Sequence, residues 1–147
     1  MASKIINKLY ISNAEFVNNI KNIKKLRISH IVCILNNIEL KEIQKHDGIK
    51  YLFICAKDKS SEYLHLHFKN AANFIEEAIQ NGFSVLVHCF AGISRSPTIV
   101  AAYLIIKQKM SVTNALSCIL LSRKCIQPNN GFMRQLYSLE KEQILKK

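Results

Sequence analysis

Short runs of β-branched and aromatic residues alternate with longer amphipathic stretches along the chain. Such alternation is typical of a sheet covered by helices. Two runs, His30 to Leu35 and Lys50 to Ala56, are dense in Ile, Val, Leu, Tyr and Phe and predict buried strands. Two shorter runs predict a short strand from Lys8 to Ile11 and a brief apolar strand from Phe83 to Val87. We therefore expect an α/β fold with a central, mostly parallel, twisted sheet flanked by helices.

The stretches between and after these strands carry apolar residues at helical spacing. The pattern predicts one helix from Ala14 to Leu26 and another that begins at Ser60 or Ser61 and ends at Asn81 and Gly82. Three further helices are predicted: Pro97 to Ile106, Val112 to Leu121 with Ser111 or Thr113 as its cap, and one after the turn from Pro128 to Gly131.

The composition is that of an ordinary globular protein. The 147 residues are 49% hydrophobic and 21% charged, which predicts one domain over residues 1–147. The longest apolar stretch, Pro97 to Ile106, has about half of the roughly twenty residues that a membrane helix needs. The first residues lack the apolar core of a signal peptide. We expect a cytoplasmic protein without a membrane span, with the nucleus as a second compartment.

The net charge of +11 and the pI near 9.6 favour anionic partners. Phosphoproteins, nucleic acid and acidic membrane surfaces all have this property. The basic residues are scattered and no aromatic stacking pattern is interleaved with them, so a solvated basic surface explains the charge better than a nucleic-acid site. A nucleic-acid partner is not expected.

Five cysteines are an odd number and form no CxxC pair. This argues against a disulfide framework and against a zinc site, so no metal or other cofactor is expected. Four of the five are predicted to be small buried hydrophobic residues: Cys33, Cys55, Cys118 and Cys125.

The fifth cysteine opens the loop His88-Cys89-Phe90-Ala91-Gly92-Ile93-Ser94-Arg95-Ser96, which joins the last predicted strand to a helix. A strand that turns into a helix in this way points several backbone N–H groups at one spot and adds the partial positive charge of a helix N-terminus. An anion fits there. The same donors stabilise a thiolate, so we expect the pKa of Cys89 to lie below the free value of about 8.5.

Two further residues of this loop suit a phosphate ester. Arg95 can close the loop and present its planar fork to two phosphate oxygens, which a lysine cannot match. Gly92 permits a backbone conformation or a close approach that a side chain would obstruct. The loop amides and Arg95 together suit a transition state whose charge spreads over equatorial oxygens.

The segment matches the HCxxGxxR(S/T) signature of the cysteine-based phosphatases. From about Lys8 to Leu139 the chain resembles the small atypical dual-specificity protein phosphatases: Asp58 and the following apolar residues resemble the general-acid loop and its helix, and Gln127 to Phe132 match a later family segment. The resemblance implies a phosphate-binding loop between strand and helix. It also implies metal-independent hydrolysis of phosphotyrosine and phosphoserine or phosphothreonine in proteins.

The resemblance also implies residue roles. Cys89 would form a phosphocysteine, and Asp58 would protonate the departing oxygen and then accept a proton from water; Glu62 is its only nearby rival. Ser96 would donate a hydrogen bond to the leaving sulfur, and His88 would fix the loop. The phosphoryl group, or a phosphate or sulfate ion, would be bound by Arg95 and by the amides of Phe90, Ala91, Gly92, Ile93, Ser94 and Arg95.

Some alternatives stay open at this point. Asn129 is either a turn former or an organiser of the loop. The same chemistry could act on a phosphoinositide, an RNA 5′ end or a glycan, although lipid-directed relatives often carry lysines in the loop and this loop has none. A phospho-binding module is a further alternative, but such relatives usually lose the cysteine or the arginine. An exposed Cys89 thiolate could also be oxidised to a disulfide with a neighbouring cysteine.

Overall fold

The computed structural model describes residues 1–146, and its centre is one five-stranded sheet. Strand β1 pairs antiparallel with β2, and the other pairings are parallel, in the order β1-β2-β5-β3-β4. This confirms the predicted mostly parallel sheet. The strands are β1 (Ser3–Ile6), β2 (Leu9–Ser12), β3 (Ile28–Leu35), β4 (Lys50–Cys55) and β5 (Ser84–His88).

Seven α-helices and one 3-10 helix connect and follow these strands within the described part of the chain. None of these helices is both long and apolar enough to span a membrane. The helices are α1 (Ala14–Asn18), α2 (Ile20–Lys25), α3 (Asn37–Leu40), the 3-10 helix (Leu64–His67), α4 (Phe68–Gln80), α5 (Arg95–Lys107), α6 (Val112–Ser122) and α7 (Asn130–Leu145).

Apolar side chains cover both faces of the sheet, and β5 runs through its middle. Val85 and Val87 face the larger core beneath α4 to α7, whereas Leu86 faces the smaller core beneath α1 and α2. This alternation follows from the two-residue period of a strand, and a strand buried on both faces reads as an unbroken apolar run. Every residue of α5 from Arg95 to Ile105 is buried, as its sequence predicted. The loop between β5 and α5 therefore joins two of the most buried elements.

The predicted helix from Ala14 to Leu26 is wrong as a single element. Asn19 has an extended backbone (φ −95°, ψ 109°), and its side chain accepts a hydrogen bond from the Lys21 N–H at 3.0 Å. Asparagine competes with the helical backbone for such bonds and is favoured at N-caps. The residue therefore ends α1 and begins α2.

Other boundaries differ for similar local reasons. Lys8 has a φ of +69° and turns the hairpin, so β2 begins one residue later than predicted, and β1 was missed. Helix α4 begins at Phe68 because neither Ser60 nor Ser61 caps it; both belong to a loop that packs on α7. The short helix α3 was also missed. Gly82, with a φ of +84°, follows the end of α4 as predicted.

All five cysteines are unpaired, but the prediction that four are buried is only half right. Cys33 is buried and Cys118 is half-buried, whereas Cys55 and Cys125 are exposed. Cys55 ends the edge strand β4, and Cys125 lies in the turn between α6 and α7. Strand edges and turns leave one side open to solvent, which the apolar neighbours of these cysteines do not reveal.

The buried face of β3 provides a test of this core. Ile34 is fully buried, and we expect Ile34→Ala to lower the free energy of unfolding by about 3 kcal/mol, because it removes buried methyl groups and leaves a cavity. Ile38 is 75% exposed, and Ile38→Ala should change stability by less than about 0.5 kcal/mol. Urea unfolding measures both; equal losses would contradict the assigned core.

Candidate active site

The loop after β5 places a thiol, a hydroxyl and a backbone donor together. Cys89 follows the last residue of β5, and Ser96 lies in the first turn of α5. The Cys89 Sγ accepts a hydrogen bond from the Gly92 N–H at 3.2 Å and lies 3.2 Å from the Ser96 Oγ. Cys89 is only 2% exposed, because the loop wraps around it, so the exposed thiol assumed for the oxidation alternative is not found. The donors around this sulfur can stabilise it as an anion.

Gly92 lies at the tightest point of the loop. Its φ of +73° is one that L side chains rarely adopt. A Cβ at this position would also lie 2.8 Å from the Ser12 carbonyl oxygen and would overlap the guanidinium of Arg123. Both reasons expected for a glycine here, an unusual backbone conformation and a close approach, are therefore present.

Two carbonyl groups of the loop are held by backbone N–H groups that lie outside it. The Ala14 N–H donates to the Phe90 carbonyl at 2.9 Å, and the Gln127 N–H donates to the Ile93 carbonyl at 2.7 Å. Each trans peptide carries its C=O and its N–H on opposite sides. The N–H groups that follow these two carbonyls consequently turn towards the inner side of the loop, where the sulfur lies.

Arg95 is 5% exposed and its guanidinium faces inwards, against a partner that the sequence interpretation missed. Its Nη1 and Nη2 donate to the two carboxylate oxygens of Glu39 at 2.7 and 3.2 Å, and Nη1 also donates to the Ala56 carbonyl at 3.0 Å. The buried Nε has no hydrogen-bond partner among the described residues. One edge of the guanidinium thus remains available to an anion.

Glu39 holds Arg95 from the first turn of α3. Asn36 and Glu39 form a capping box, in which each side chain accepts the backbone N–H of the other at 2.9 Å. The hydrogen bond from Arg95 lowers the pKa of Glu39. Burial opposes the charge on Arg95, but the hydrogen bond with Glu39 and the neighbouring acidic groups outweigh it and raise the pKa of Arg95. The pair is therefore ionised over the ordinary pH range.

Asp58 is exposed on the loop after β4, and Asn129 connects it to the phosphate loop. The Asn129 Nδ2 donates to the Asp58 Oδ1 at 2.9 Å, and the Asn129 backbone N–H donates to the Ser94 Oγ at 3.0 Å. The Asn129 Oδ1 also caps α7 by accepting the Phe132 N–H at 2.9 Å. Asn129 thus caps α7 and contacts both the Asp58 carboxylate and the phosphate loop.

The loop that carries Asp58 rests on α7 through further contacts. Gln135 donates to the Glu62 carbonyl and accepts the His65 N–H, both at 2.8 Å. The Glu62 carboxylate accepts the Lys57 N–H at 2.5 Å, so this rival of Asp58 is engaged within its own loop. A Cβ at Gly131 would collide with the Ser60 backbone. We name this set of contacts the acid-loop clamp.

His88 is fully buried below the loop. Burial lowers its pKa to about 4, so the imidazole is neutral near pH 7. Its Nδ1 lies 3.1 Å from the Cys89 carbonyl oxygen, which can only accept, so the proton of the neutral ring is on Nδ1. This hydrogen bond contacts the peptide group directly after Cys89.

The contacts missing from the sequence interpretation are those of Glu39, Arg123 and Gln135. Glu39 had a local signal, because Asn36 and Glu39 have capping-box spacing. Arg123 and Gln135 had none: each contacts backbone groups far away in the chain, and nothing in its sequence neighbourhood indicates that contact.

The fold and this strand-loop-helix site are those of the protein tyrosine phosphatase superfamily. The solved structure of human tyrosine phosphatase-like serine/threonine/tyrosine-interacting protein superposes with a TM-score of 0.92, at 32% identity and over 97% of both chains. Residues 9–142 match the family model described as dual specificity phosphatase, catalytic domain. The chain belongs to this family, and the resemblance inferred from the sequence is confirmed.

Curated relatives of the same family align over most of the chain. Human dual specificity protein phosphatase 22 is 37% identical over 142 residues, which are 97% of this chain and 75% of the relative. Dual specificity protein phosphatase 1 of Arabidopsis thaliana is 37% identical over 134 residues, which are 90% of this chain and 66% of the relative. The chain is thus a small atypical dual specificity protein phosphatase.

The pair of Glu39 and Arg95 predicts a pH dependence of stability. We expect Glu39→Gln to lower the free energy of unfolding at pH 7 by about 2 kcal/mol, because Arg95 stays buried without a charged partner. The pKa of Glu39 is lowered in the folded state. The contribution of Glu39 to the free energy of unfolding is therefore fully present above its ordinary pKa of 4.5. This contribution is lost as the pH falls through the lower pKa of the folded state.

Urea unfolding of both proteins between pH 7 and pH 3 measures this effect as the difference between them. The lowered pKa of His88 removes stability from both proteins as the pH falls from 6.5 towards about 4, so this contribution cancels in the difference. A difference that stays constant below pH 4.5 would show that the ion pair does not stabilise the fold.

Proposed function

We propose that the protein hydrolyses phosphotyrosine and phosphoserine or phosphothreonine residues of proteins through a phosphocysteine intermediate on Cys89. The observation that carries the proposal is the free edge of Arg95 next to a sulfur surrounded by donors. Glu39 and Ala56 engage three of the five guanidinium N–H groups. The Nε–H and one Nη2–H remain, on one edge of the planar fork, and this edge suits two oxygens of a phosphoryl group.

In the first step the Cys89 Sγ attacks phosphorus, and an S–P bond forms while the bond from phosphorus to the ester oxygen breaks. Negative charge on the equatorial oxygens is stabilised by Arg95 and by the loop amides from Phe90 to Arg95. Asp58 gives its proton to the departing oxygen. The bond from Asn129 to the Asp58 Oδ1 supports this role, because it leaves the Oδ2 free for the proton.

In the second step water hydrolyses the phosphocysteine. Asp58, now a carboxylate, accepts a proton from the water as its oxygen bonds to phosphorus. The S–P bond breaks, and the sulfur leaves with its electron pair. The Ser96 Oγ, at 3.2 Å from the Sγ, donates a hydrogen bond that stabilises the leaving thiolate. The buried neutral His88 keeps the loop in place and transfers no proton in this scheme.

A binding module is the second candidate function. The solved structure that superposes at a TM-score of 0.92 is named as a phosphatase-like, serine/threonine/tyrosine-interacting protein. The presence of both Cys89 and Arg95 favours catalysis in this chain. The lack of lysine between Cys89 and Arg95 favours phosphoproteins over phosphoinositides, RNA 5′ ends or glycans.

We also propose that the protein works in the cytoplasm, with the nucleus as a second compartment. All five of its cysteines are unpaired, including the exposed Cys55 and Cys125. Reducing compartments preserve such thiols, and a nucleophilic cysteine needs the same protection.

The nucleophile can be tested with para-nitrophenyl phosphate in the presence of EDTA. We expect turnover by the wild type, and a loss of more than about a thousandfold in Cys89→Ser, because the hydroxyl is a far weaker nucleophile than the thiolate. Rapid quenching of the wild type should trap phosphorylated protein. Cys125→Ser, which removes an exposed thiol, is the matched control and should keep full activity. Stoichiometric binding of phosphopeptide by the wild type without turnover would instead support the binding module.

The identity of the general acid can be tested with two leaving groups. We expect Asp58→Asn to lower kcat for a phosphoserine peptide by about a hundredfold or more, since an alkyl alcohol needs a proton to depart. The loss for para-nitrophenyl phosphate should be much smaller because its leaving group needs none. Glu62→Gln is the control, and the assignment to Asp58 fails if this variant shows the larger dependence on the leaving group.

A further inference from the structure

Arg123, which directly follows α6, reaches the phosphate loop from its outer side. Its Nε donates to the Gly92 carbonyl at 2.8 Å, and its Nη2 donates to the Ala91 carbonyl at 3.4 Å. On the other side, its Nη1 donates to the Met1 carbonyl at 3.0 Å and to the Ser3 Oγ at 3.1 Å. The guanidinium is therefore fixed between the phosphate loop and the start of the chain.

These bonds determine the orientation of two consecutive peptide groups. Since C=O and N–H lie on opposite sides of a trans peptide, an Ala91 carbonyl that faces Arg123 directs the Gly92 N–H the other way. That N–H is the one that meets the Cys89 Sγ at 3.2 Å. By the same geometry, the Gly92 carbonyl on Arg123 directs the Ile93 N–H towards the inner side.

Both peptide groups flank the residue with the greatest backbone freedom. Gly92 lacks a Cβ and can exchange its φ of +73° for other values at little energetic cost, which would turn either peptide over. The carbonyls of Phe90 and Ile93 are held by backbone N–H groups, which a substitution does not remove. The carbonyls of Ala91 and Gly92, which lie between those two, are held by the side chain of Arg123.

We propose that Arg123 is a positioning residue of the phosphate loop, which keeps the Gly92 and Ile93 N–H groups turned towards the sulfur and towards a bound tetrahedral oxyanion. The proposal rests on the proposed function of this loop. Arg123 contacts only the outer side of the loop and acts through its peptide groups. Its planar fork is required because two carbonyls must be held by two nitrogens at once.

The test measures binding of inorganic tungstate, a tetrahedral oxyanion, by isothermal titration calorimetry with wild type, Arg123→Met and Arg123→Lys. We expect about a tenfold weaker Kd in both variants, since misoriented amides no longer bind the oxyanion fully. For para-nitrophenyl phosphate and a phosphoserine peptide, kcat/KM should fall by a similar factor, because Asp58 is untouched. Arg27→Met is the matched control: Arg27 is exposed and precedes β3, so it lies at the amino ends of the parallel strands, whereas the phosphate loop follows the carboxyl end of β5.

Thermal unfolding identifies the temperature range in which each variant is folded, and all binding is measured there. A folded Arg123→Met with the wild-type Kd would overturn the proposal. So would a wild-type Kd in Arg123→Lys, because charge alone would then suffice, or an equal loss in Arg27→Met. Wild type that binds tungstate but turns over no phosphate ester would refute the proposed function, while the comparison of Kd values would still decide the role of Arg123.

Discussion

The orientation of four consecutive peptide groups in one loop is the constraint on which the site depends. A short loop presents its N–H groups to a single point only if its carbonyls are all held on the other side. Here the carbonyls from Phe90 to Ile93 are held by groups from three separate parts of the chain: Ala14 after β2, Arg123 after α6, and Gln127 before α7. The sheet and its helices bring these groups to the same edge, so the fold as a whole supports the loop.

The guanidinium of Arg95 depends on the fold in a comparable way. A buried arginine is unfavourable unless its charge and its donors are matched. Glu39 matches the charge, the Ala56 carbonyl accepts a further N–H, and both follow strands that neighbour one another in the sheet. This arrangement engages one end of the planar fork. The remaining edge, formed by the Nε–H and one Nη2–H, is therefore already oriented for a ligand, and the side chain need not reorganise when the ligand binds.

The sequence was informative wherever the chemistry is contiguous. The loop from His88 to Ser96, the strand before it and the buried helix after it could be predicted, because their residues are neighbours in the chain. The helix break at Asn19 was missed because its side chain competes with a backbone bond that the apolar pattern does not report. Arg123 and Gln135 were missed for a different reason: their partners lie more than thirty residues away, and only the folded topology brings them together.

The acid-loop clamp orders the loop that carries Asp58 when the chain folds, before any substrate binds. Gly131 lets the backbone of Ser60 lie directly on α7, and Asn129 and Gln135 hold the loop on either side of that contact. The conformational entropy of the loop is therefore lost once, when the chain folds, and not again each time a phosphoprotein arrives. Binding energy from the substrate need not close a lid, and recognition can be as fast as encounter with an open, preformed surface allows.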